Sequence, residues 1–440
     1  MGTEGTGQKL NPNIVLRSSR NERYAGKQPA RNLNPLQKGI QEYVTTHIPS
    51  SRLSDHGLSP DTLLSSLPKR YTIYEPMLLL PVNALSSPPA WSALYQSFSD
   101  EEKQSLFALI AQAFSHMGVS HVAINAPIAL TDIQGQENRM RSPAGLVPLY
   151  GDFGPLPSED EDENGQPTEA DLQLAFWVRT VQNHGIVQIW SPLYTMFSRG
   201  NITEKARILG YGTVFEGLDA DFLKGDTVGD IDVIDMYAGI GYFVFSYLKR
   251  GVNRVWGWEI NGWSVEGLRR GCIENGWGCK VVRVREDGSL SETIPSLVEG
   301  LQDSDKVVIF HGDNRFAADI LLGIAEHLKA RRSLNSIRHV NLGLLPSSSA
   351  AWSNACKMID VQKGGWIHVH ENVDVQKIEE KKEEIACEMG RLRAQVLDIR
   401  SVAVKCRHVE HVKTYAPGVM HCVFDVYLPS CMEANLGKPV

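Results

Sequence analysis

The sequence has no apolar run near the ~18 residues of a membrane-spanning helix, so we expect no membrane association. The first nine residues lack an apolar core after their charges, and we therefore expect no secretory signal. The basic residues that follow leave a transit peptide open, although Pro and Asn among them argue against an amphipathic helix. A composition of 42% hydrophobic and 22% charged residues indicates a globular protein, and 440 residues suffice for two or three domains.

Cysteine pairs of the CxxC type are also absent. The chain has seven cysteines, an odd number without a regular spacing, and all of them lie in the C-terminal half. Such a set indicates reduced thiols that pack as small hydrophobic side chains, and it favours a cytoplasmic location.

The net charge of −7 does not by itself indicate a nucleic-acid-binding protein. However, residues 1–40 carry seven basic side chains against Glu4 and Glu22, a local charge of +5 that leaves −12 for the rest. The seven are Lys9, Arg17, Arg20, Arg23, Lys27, Arg31 and Lys38. We call residues 1–40 the basic arm. It is either a phosphate-binding segment or a solvated tail, and charge alone favours the tail.

The pattern of residues predicts three regions. Residues 1–65 contain Pro, Asn and Ser throughout, and we expect a loosely structured extension with one helix near 36–45. Residues 66–195 predict a small α+β domain, interrupted by a disordered acidic insertion at 155–171. Residues 196–440 then form the third region.

A β-hairpin is predicted near the end of the small domain, because two β-rich runs flank Asn183-His184-Gly185. From about residue 196 strands and helices alternate, which predicts a parallel sheet covered by helices. The predicted strands are 231–237, 254–259, 306–312, 337–344, 365–371, 402–413 and 420–428. The predicted helices are 242–250, 262–276, 316–331, 348–360 and 375–395. Seven strands that end in a hairpin predict the class I methyltransferase (Rossmann-like) α/β fold, and residues 285–304 read as an insertion.

The most informative stretch is Asp235-Met-Tyr-Ala-Gly-Ile-Gly-Tyr-Phe243, where a buried strand turns through Gly239 and Gly241 into a helix. A second strand ends in Glu259, which is suited to accept hydrogen bonds from ribose hydroxyls. A dinucleotide-binding loop would have a third glycine where Val244 stands. Since no Lys-Ser/Thr pair follows to bind phosphate, a cofactor with a ribose but no phosphate fits best. S-adenosylmethionine is the commonest such molecule.

Four segments follow the ends of predicted parallel strands, and ligands bind at that edge of an open α/β sheet. They are Asp235 with Gly239 and Gly241, Glu259, Asp313-Asn314, and residues 341–347. Their joint presence is more specific than any one of them. It predicts an S-adenosylmethionine site.

Several motifs resemble the tRNA methyltransferases that act on the guanine 3′ of the anticodon, and their relatives. They are Asp235–Phe243, Glu259-Ile-Asn261, Gly312-Asp313-Asn314, Val412-Lys413-Thr414-Tyr415-Ala416-Pro417 and residues 196–205. After strand four those methyltransferases have Asn-Leu-Pro, whereas this chain has Asn341-Leu-Gly-Leu-Leu-Pro346-Ser347. Together with Trp352 and His368-Val-His370-Glu-Asn-Val373, this segment resembles the tRNA wybutosine-synthesising protein 2 family.

The resemblance implies an enzyme that transfers the 3-amino-3-carboxypropyl group of S-adenosylmethionine to 4-demethylwyosine in phenylalanine tRNA, releasing methylthioadenosine. It implies tRNA, at its anticodon region, as the partner, and no obligate protein partner is evident. It places Ser198 and Lys205 at the cofactor, Glu259 at the ribose, and Asp313 and Asn314 at the adenine. Without the resemblance, Lys205 would be read as a surface lysine of a capped helix start.

No general base is evident from the sequence, so the catalytic residues stay unknown. His368 and His370 face one side of a strand, but no further ligands stand at a convincing spacing and we expect no metal. Two other functions compete. A tRNA guanine-N1 methyltransferase would differ mainly in the loop after strand four, and a non-catalytic tRNA-binding factor would not need Asp235, Glu259 and the glycines.

Overall fold

The computed structural model describes residues 33–125, 146–155, 166–195, 197, 200–223, 225–328 and 335–436. Its helices are α1 Pro35–His47, α2 Ser50–Asp55, α3 Pro60–Ser66, α4 Pro89–Gln96, α5 Asp100–Ala113, α6 Glu169–Leu174, α7 Ile202–Ile208, α8 Val244–Arg250, α9 Gly262–Glu274, α10 Ile294–Gly300, α11 Ala317–Leu328, α12 Trp352–Met358, α13 Ile378–Val396 and α14 Cys431–Leu436. Its strands are β1 Thr72–Tyr74, β2 Met77–Leu80, β3 His121–Ile124, β4 Val147–Tyr150, β5 Val178–Val181, β6 Val187–Trp190, β7 Ile231–Asp235, β8 Arg254–Glu259, β9 Gly278–Arg283, β10 Asp305–His311, β11 Ser336–Leu342, β12 Gly365–Asp374, β13 Lys405–Ala416 and β14 Val419–Leu428.

The predicted helix near residues 36–45 is confirmed as α1, whereas α2 and α3 lie where we expected loose structure, so that expectation is wrong for residues 50–66. The polar residues behind the expectation are helix caps. Asn34 Oδ1 accepts from the backbone N–H of Gln37 at 2.9 Å, and Ser59 Oγ accepts from Thr62 at 3.2 Å. A proline follows each cap at the first helical position, where its missing N–H costs nothing. Residues 1–32 of the basic arm lie outside the described residues.

Helix α1 packs on α5 through one apolar face. Leu36, Ile40, Tyr43 and Val44 are fully buried on that face, and their spacing of three to four residues is the period of a helix. They share one core with α4, α5 and strands β2 and β3. The small sheet has the order β1-β2-β3-β4. The division of the chain at residues 65 and 195 into domains stays a prediction.

The predicted hairpin is confirmed. Strands β5 and β6 pair antiparallel from Val178 opposite Trp190 to Val181 opposite Val187, and the turn puts His184 and Gly185 in the left-handed region. The expectation of disorder is wrong for residues 166–171. Helix α6 begins there, and Gln166 donates to the Ile260 carbonyl at 2.8 Å. Residues 156–165 lie outside the described residues.

The large sheet has the order β13-β14-β12-β11-β7-β8-β10-β9, and the predicted α/β class I methyltransferase fold is confirmed. The seven predicted strands are all present and the last two form the hairpin. An eighth strand, β9, was not predicted; it pairs parallel with β10 at the edge of the sheet. The prediction missed it because its alternating pattern is short and begins with Gly278. Within the presumed insertion, α10 packs on α11.

The strand order reverses between β7 and β11, so a cleft opens beyond their carboxyl ends. One face of the sheet packs against α10 to α13, and the other packs against α8 and α9. The tryptophans that might have stacked on a base are mostly core residues: Trp256 and Trp258 are fully buried, and Trp263 is 4% exposed. The fold therefore positions four strand ends around one cleft.

Arg393 joins α13 to the end of α12 and to the chain after β14. Its guanidinium is fully buried and donates to the carbonyls of Cys356, Ile359, Asp360 and Pro429 at 2.9–3.3 Å. Cys356 lies in the last turn of α12, and Ile359 directly follows the helix. Carbonyls at the C-terminal end of a helix have no partner within the helix. The side chain thus satisfies backbone acceptors that burial has removed from water.

Replacing Arg393 with Met should lower the free energy of unfolding by about 3 kcal/mol, because four buried carbonyls lose a charged donor. Arg391→Met is the matched control on the same helix. Arg391 is 56% exposed and pairs with Glu388 on the surface, so its loss should leave the free energy of unfolding close to that of the wild type. Urea unfolding of both variants measures the difference. Equal destabilisation by the two substitutions would contradict this role for Arg393.

Candidate functional site

The loop after β7 turns sharply and is held by the neighbouring strand. Gly239 and Gly241 have φ of +54° and +88°, a region that favours glycine. A Cβ atom at Gly239 would lie 2.9 Å from the ring of Tyr242. The N–H of Ala238 donates to the carbonyl of Trp258 at 2.9 Å. The backbone is thereby open to close approach by a ligand, as the sequence predicted.

Glu259 ends β8, and two backbone N–H groups hold its carboxylate. Oε2 accepts from Gly239 and Oε1 accepts from Asn261, both at 2.8 Å. Burial raises the pKa of this carboxyl, and these hydrogen bonds oppose the rise. Each oxygen still has a second lone pair, so the carboxylate can accept from two hydroxyl groups as well. A ribose diol is such a donor pair, and the placement of Glu259 fits the predicted role.

The segment after β10 is tied to the same loop. Asn314 Nδ2 donates to the carbonyl of Met236 at 2.7 Å, and the N–H of Gly312 donates to the Glu259 carbonyl at 2.9 Å. Asp313 Oδ1 accepts from the N–H of Arg315 at 2.9 Å. Asn314 thus fixes the position of the β7 loop. Contact of Asp313 and Asn314 with adenine stays a prediction.

The loop after β11 completes the set. Asn341 Nδ2 donates to Asp235 Oδ1 at 3.2 Å, and its carbonyl accepts from Met236 at 3.0 Å. Further along, Ser347 Oγ donates to Glu371 of β12 at 2.7 Å. Hydrogen bonds therefore connect all four predicted segments into one site. The sequence predicted their convergence, and the structure confirms it.

Lys205 lies on α7 and is 7% exposed. Its Nζ has no hydrogen-bond partner among the described residues, lies 5.1 Å from the ring centre of Tyr242, and has a pKa lowered to about 8 by burial. It lines a small cavity with Gln188 of β6 and Ser246 of α8. The Gln188 amide and the Ser246 hydroxyl also have no partner in the described part of the chain. Lys205 is thus not the surface residue that its sequence context alone suggested.

The unpartnered groups fit a ligand that has a charged amino-acid end and a ribose. Lys205 Nζ can donate to a carboxylate, and Asp235 Oδ2, which also lacks a partner among the described residues, can accept from an ammonium group. Glu259 and the glycine loop suit the ribose. The residues present therefore fit S-adenosylmethionine. Ser198, the remaining predicted contact, lies outside the described residues.

Behind Lys205, α7 is anchored by a buried charge network that the sequence did not predict. Arg207 is 1% exposed; it donates to both oxygens of Glu204 at 2.9 Å and to both oxygens of Asp425 at 2.6 and 3.2 Å. Burial raises the pKa of Glu204 to about 7. Burial alone would also raise the pKa of Asp425, but His368 and Arg207 hold it well below its usual range. The spacing of three residues between Glu204 and Arg207 on one helix could have predicted their ion pair. No local pattern could have predicted the pairing of Arg207 with Asp425, which is 218 residues away.

The network continues through two imidazoles. His368 Nδ1 lies 2.7 Å from Asp425 Oδ1, His339 Nδ1 lies 2.9 Å from His368 Nε2, and His339 Nε2 lies 2.9 Å from the Gly217 carbonyl. Three hydrogen bonds need three protons, whereas two neutral imidazoles supply two. Burial lowers the pKa of both histidines and so opposes a third proton on the imidazoles.

His370 and His421 form a second buried pair, with His370 Nδ1 3.1 Å from His421 Nε2. Sequence reasoning noted His370 only as an unconvincing metal ligand and did not identify His421.

Among the residues that the structure describes, no three His, Cys, Asp or Glu side chains are grouped to hold a metal. All seven cysteines are described, and none forms a disulfide. In the same part of the chain, no helix has the length and apolarity to cross a membrane.

The chain is similar to curated proteins named tRNA wybutosine-synthesizing protein 2. The Schizosaccharomyces pombe protein is 38% identical over 361 residues, which cover 82% of this chain and 72% of that protein. The Saccharomyces cerevisiae protein is 33% identical over 418 residues, which cover 88% and 80%. The Arabidopsis thaliana tRNA wybutosine-synthesizing protein 2/3/4 is 27% identical over 396 residues, which cover 89% of this chain and 29% of that protein. No protein-family model matches the chain.

Among solved structures, Pyrococcus horikoshii TYW2 in complex with MeSAdo is 17% identical with a TM-score of 0.49, over 89% of this chain and 98% of that chain. Trm5b from Pyrococcus abyssi is 16% identical with a TM-score of 0.45, over 84% and 78%. At these values neither likeness assigns a function.

Asp235 gives the site a pH-dependent stability. Burial raises its pKa to about 7, against about 4 in an unfolded chain. The folded state therefore binds the proton more tightly, and stability is lost as pH rises from about 4 to about 7. Asp235→Asn removes this titration while its amide oxygen can still accept from Asn341. The free energy of unfolding of Asp235→Asn, relative to that of the wild type, should increase by about 2–3 kcal/mol between pH 5 and pH 8.

Urea unfolding without cofactor at the two pH values measures this increase. Asp374→Asn, at the exposed end of β12, is the control for loss of one negative charge. A constant stability difference between Asp235→Asn and the wild type at both pH values would contradict the prediction.

Proposed function

The chain belongs to the tRNA wybutosine-synthesizing protein 2 family, and on that premise we propose that it transfers the 3-amino-3-carboxypropyl group of S-adenosylmethionine to 4-demethylwyosine in phenylalanine tRNA. The observation that carries the proposal is the connection of all four strand-end segments into one site. The family is one of S-adenosylmethionine-dependent tRNA modification in wybutosine synthesis. The transferred group, the acceptor base, the anticodon-region contact and a cytoplasmic location are the finer parts of the proposal.

The sulfonium of S-adenosylmethionine activates three attached carbons, so the same molecule can lose its methyl group or its aminocarboxypropyl group. The carbon that lies about 3–3.5 Å from the nucleophile, in line with the breaking bond, decides which group is transferred. Selectivity therefore depends on the orientation of the bound cofactor and needs no additional reactive group on the protein.

The loop after β11 is placed to influence that orientation. A Cβ atom at Gly343 would lie 3.2 Å both from the ring of Phe243 and from Asn341 Nδ2, so the loop passes close to the residue that follows the glycine motif. Pro346 accepts from the Asn372 N–H at 2.9 Å, which ties the loop to β12. This geometry supports a role for the inserted Gly343-Leu-Leu segment in presenting the Cγ carbon while the methyl group points away.

The transfer assay uses 4-demethylwyosine-containing tRNA and two samples of S-adenosylmethionine, labelled in the carboxyl carbon or in the methyl group. We expect the carboxyl label in the RNA, with one methylthioadenosine released per transfer. Methyl label in the RNA, with S-adenosylhomocysteine released, would instead identify a guanine methyltransferase. No transfer and no binding of S-adenosylmethionine would favour a non-catalytic tRNA-binding factor.

Glu259→Gln is the site variant in this assay. It replaces one charged acceptor with an amide and should weaken S-adenosylmethionine binding by about 10-fold to 100-fold. Glu274→Gln is the matched control on α9, because Glu274 pairs with Arg179 at 3.3 Å on the surface. We expect that variant to bind and transfer like the wild type.

Binding of tRNA by the basic arm is a separate part of the proposal. A deletion must stop at residue 32, because Leu36 and the rest of α1 belong to the core. Removing residues 1–32 should weaken tRNA binding more at low salt than at high salt and reduce the salt dependence, since fewer phosphates are neutralised. A full-length variant with the six basic residues of this segment changed to Gln is the control for length. Equal affinities of all three proteins across the salt range would show that the segment does not bind tRNA.

A further inference from the structure

The face of the large sheet under α7 carries buried polar atoms that the fold leaves without partners. Asp235 Oδ2, Asn341 Oδ1, His370 Nε2 and His421 Nδ1 have no hydrogen-bond partner among the described residues, and each of these side chains is at most 1% exposed. An unsatisfied buried polar group costs about 1–3 kcal/mol. Four such groups near the ends of adjacent strands indicate that a ligand supplies their partners.

The strand register shows that these groups share one face. Asp235 of β7 lies opposite Asn341 of β11, and Asn341 lies opposite His368 of β12. His370 is two residues further along β12, on the same face and beyond the end of β11. Its ring centre lies 5.1 Å from that of Phe243, which follows the glycine loop. His370 is therefore beside the position where the reacting end of the cofactor is proposed to lie.

The pairing of the two imidazoles leaves His370 able to accept a proton. The 3.1 Å contact between His370 Nδ1 and His421 Nε2 needs one N–H. When His370 Nδ1 carries that proton, His370 Nε2 has a free lone pair. The two nitrogens are on different edges of the ring, so Nε2 points away from His421. In that tautomer His421 Nε2 accepts from His370 Nδ1, much as a carboxylate accepts from a catalytic histidine.

We propose that His370 Nε2 is the general base that removes the proton from the acceptor carbon of the tRNA base, a role that rests on the proposed function. The π electrons of the acceptor carbon form the new bond to Cγ of S-adenosylmethionine. The Cγ–S bond breaks, and its electron pair stays on sulfur as methylthioadenosine leaves. The ring is then cationic. The C–H electron pair returns to the ring as the proton passes to His370 Nε2.

The electrostatics around His370 suit this weak-base role. Burial lowers its pKa well below the usual value, and His421, His368 and Arg207 lower it further, while Asp425 opposes them. The imidazole is therefore neutral at neutral pH, and its Nε2 can accept a proton. A strong base is not required, because a cationic ring loses its proton readily. After the transfer, the imidazolium can still donate from Nδ1 to His421.

The experiment compares His370→Asn with the wild type in single-turnover transfer. Asn keeps an amide near the Nδ1 position, where it can still contact His421, and has nothing at the Nε2 position. The control is His327→Asn, an exposed histidine on α11 at the opposite face of the sheet. We expect the transfer rate of His370→Asn to fall at least 100-fold, within the usual contribution of a general base, and that of His327→Asn to stay within twofold of the wild type. Affinities of His370→Asn for S-adenosylmethionine and tRNA should stay within threefold.

A deuterium at the acceptor carbon separates a base from a structural residue. Without its base, proton loss should become rate-limiting, so the isotope effect should rise from near 1 in the wild type to above 2 in His370→Asn. If that variant fails to bind S-adenosylmethionine, His370→Gln, which fills more of the imidazole volume, is measured instead. A rate within threefold of wild type, or a slow rate with an isotope effect near 1, would overturn the role of His370. Failure of the wild type itself to transfer the aminocarboxypropyl group would overturn the proposed function instead.

Discussion

The guanidinium of Arg207 lies out of contact with water, between Glu204 of its own helix and Asp425 of the last strand. A buried cation without partners would cost several kcal/mol, so it must be paired. The two carboxylates hold it in bidentate geometry, and His368 and His339 extend the pairing towards the Gly217 carbonyl. Helix α7 has few apolar residues to hold it against the sheet. Its position therefore depends on this network, and so does the position of Lys205.

The two sides of the cleft differ in how fully their polar groups are satisfied. On the β8 side, Glu259 and Asn314 are held by backbone atoms, and the geometry is complete without a ligand. On the β11 and β12 side, Asn341 and His370 each leave a buried atom without a partner in the described part of the chain. The first arrangement preorganises a binding site, whereas the second stores unfavourable free energy that a bound molecule can relieve.

The fold was largely predictable, because strands β7, β8 and β10 to β14 and their helices have strong periodic patterns. The glycine loop and the acid that ends β8 were visible for the same reason, since their positions follow from strand ends. The helices at 50–66 were missed because Pro and Ser were read as loop residues, whereas they stand at the starts of helices. Lys205 needed the family resemblance. The pairing of Arg207 with Asp425 could not be predicted, because no local pattern connects residues so far apart in sequence.

The position of Asp425 has a consequence for the order in which the protein can mature during translation. Domains generally fold as they leave the ribosome, from the N-terminus onward. One face of the small sheet can do so with its helices, since the buried residues of that core lie between Leu36 and Val122. The cofactor side cannot, because β14 must insert beside β12 before Arg207 gains its second carboxylate. A nascent chain that has already made Lys205, the glycine loop and Glu259 is therefore still without a finished site. Cofactor binding must wait until the chain has been synthesised beyond Asp425.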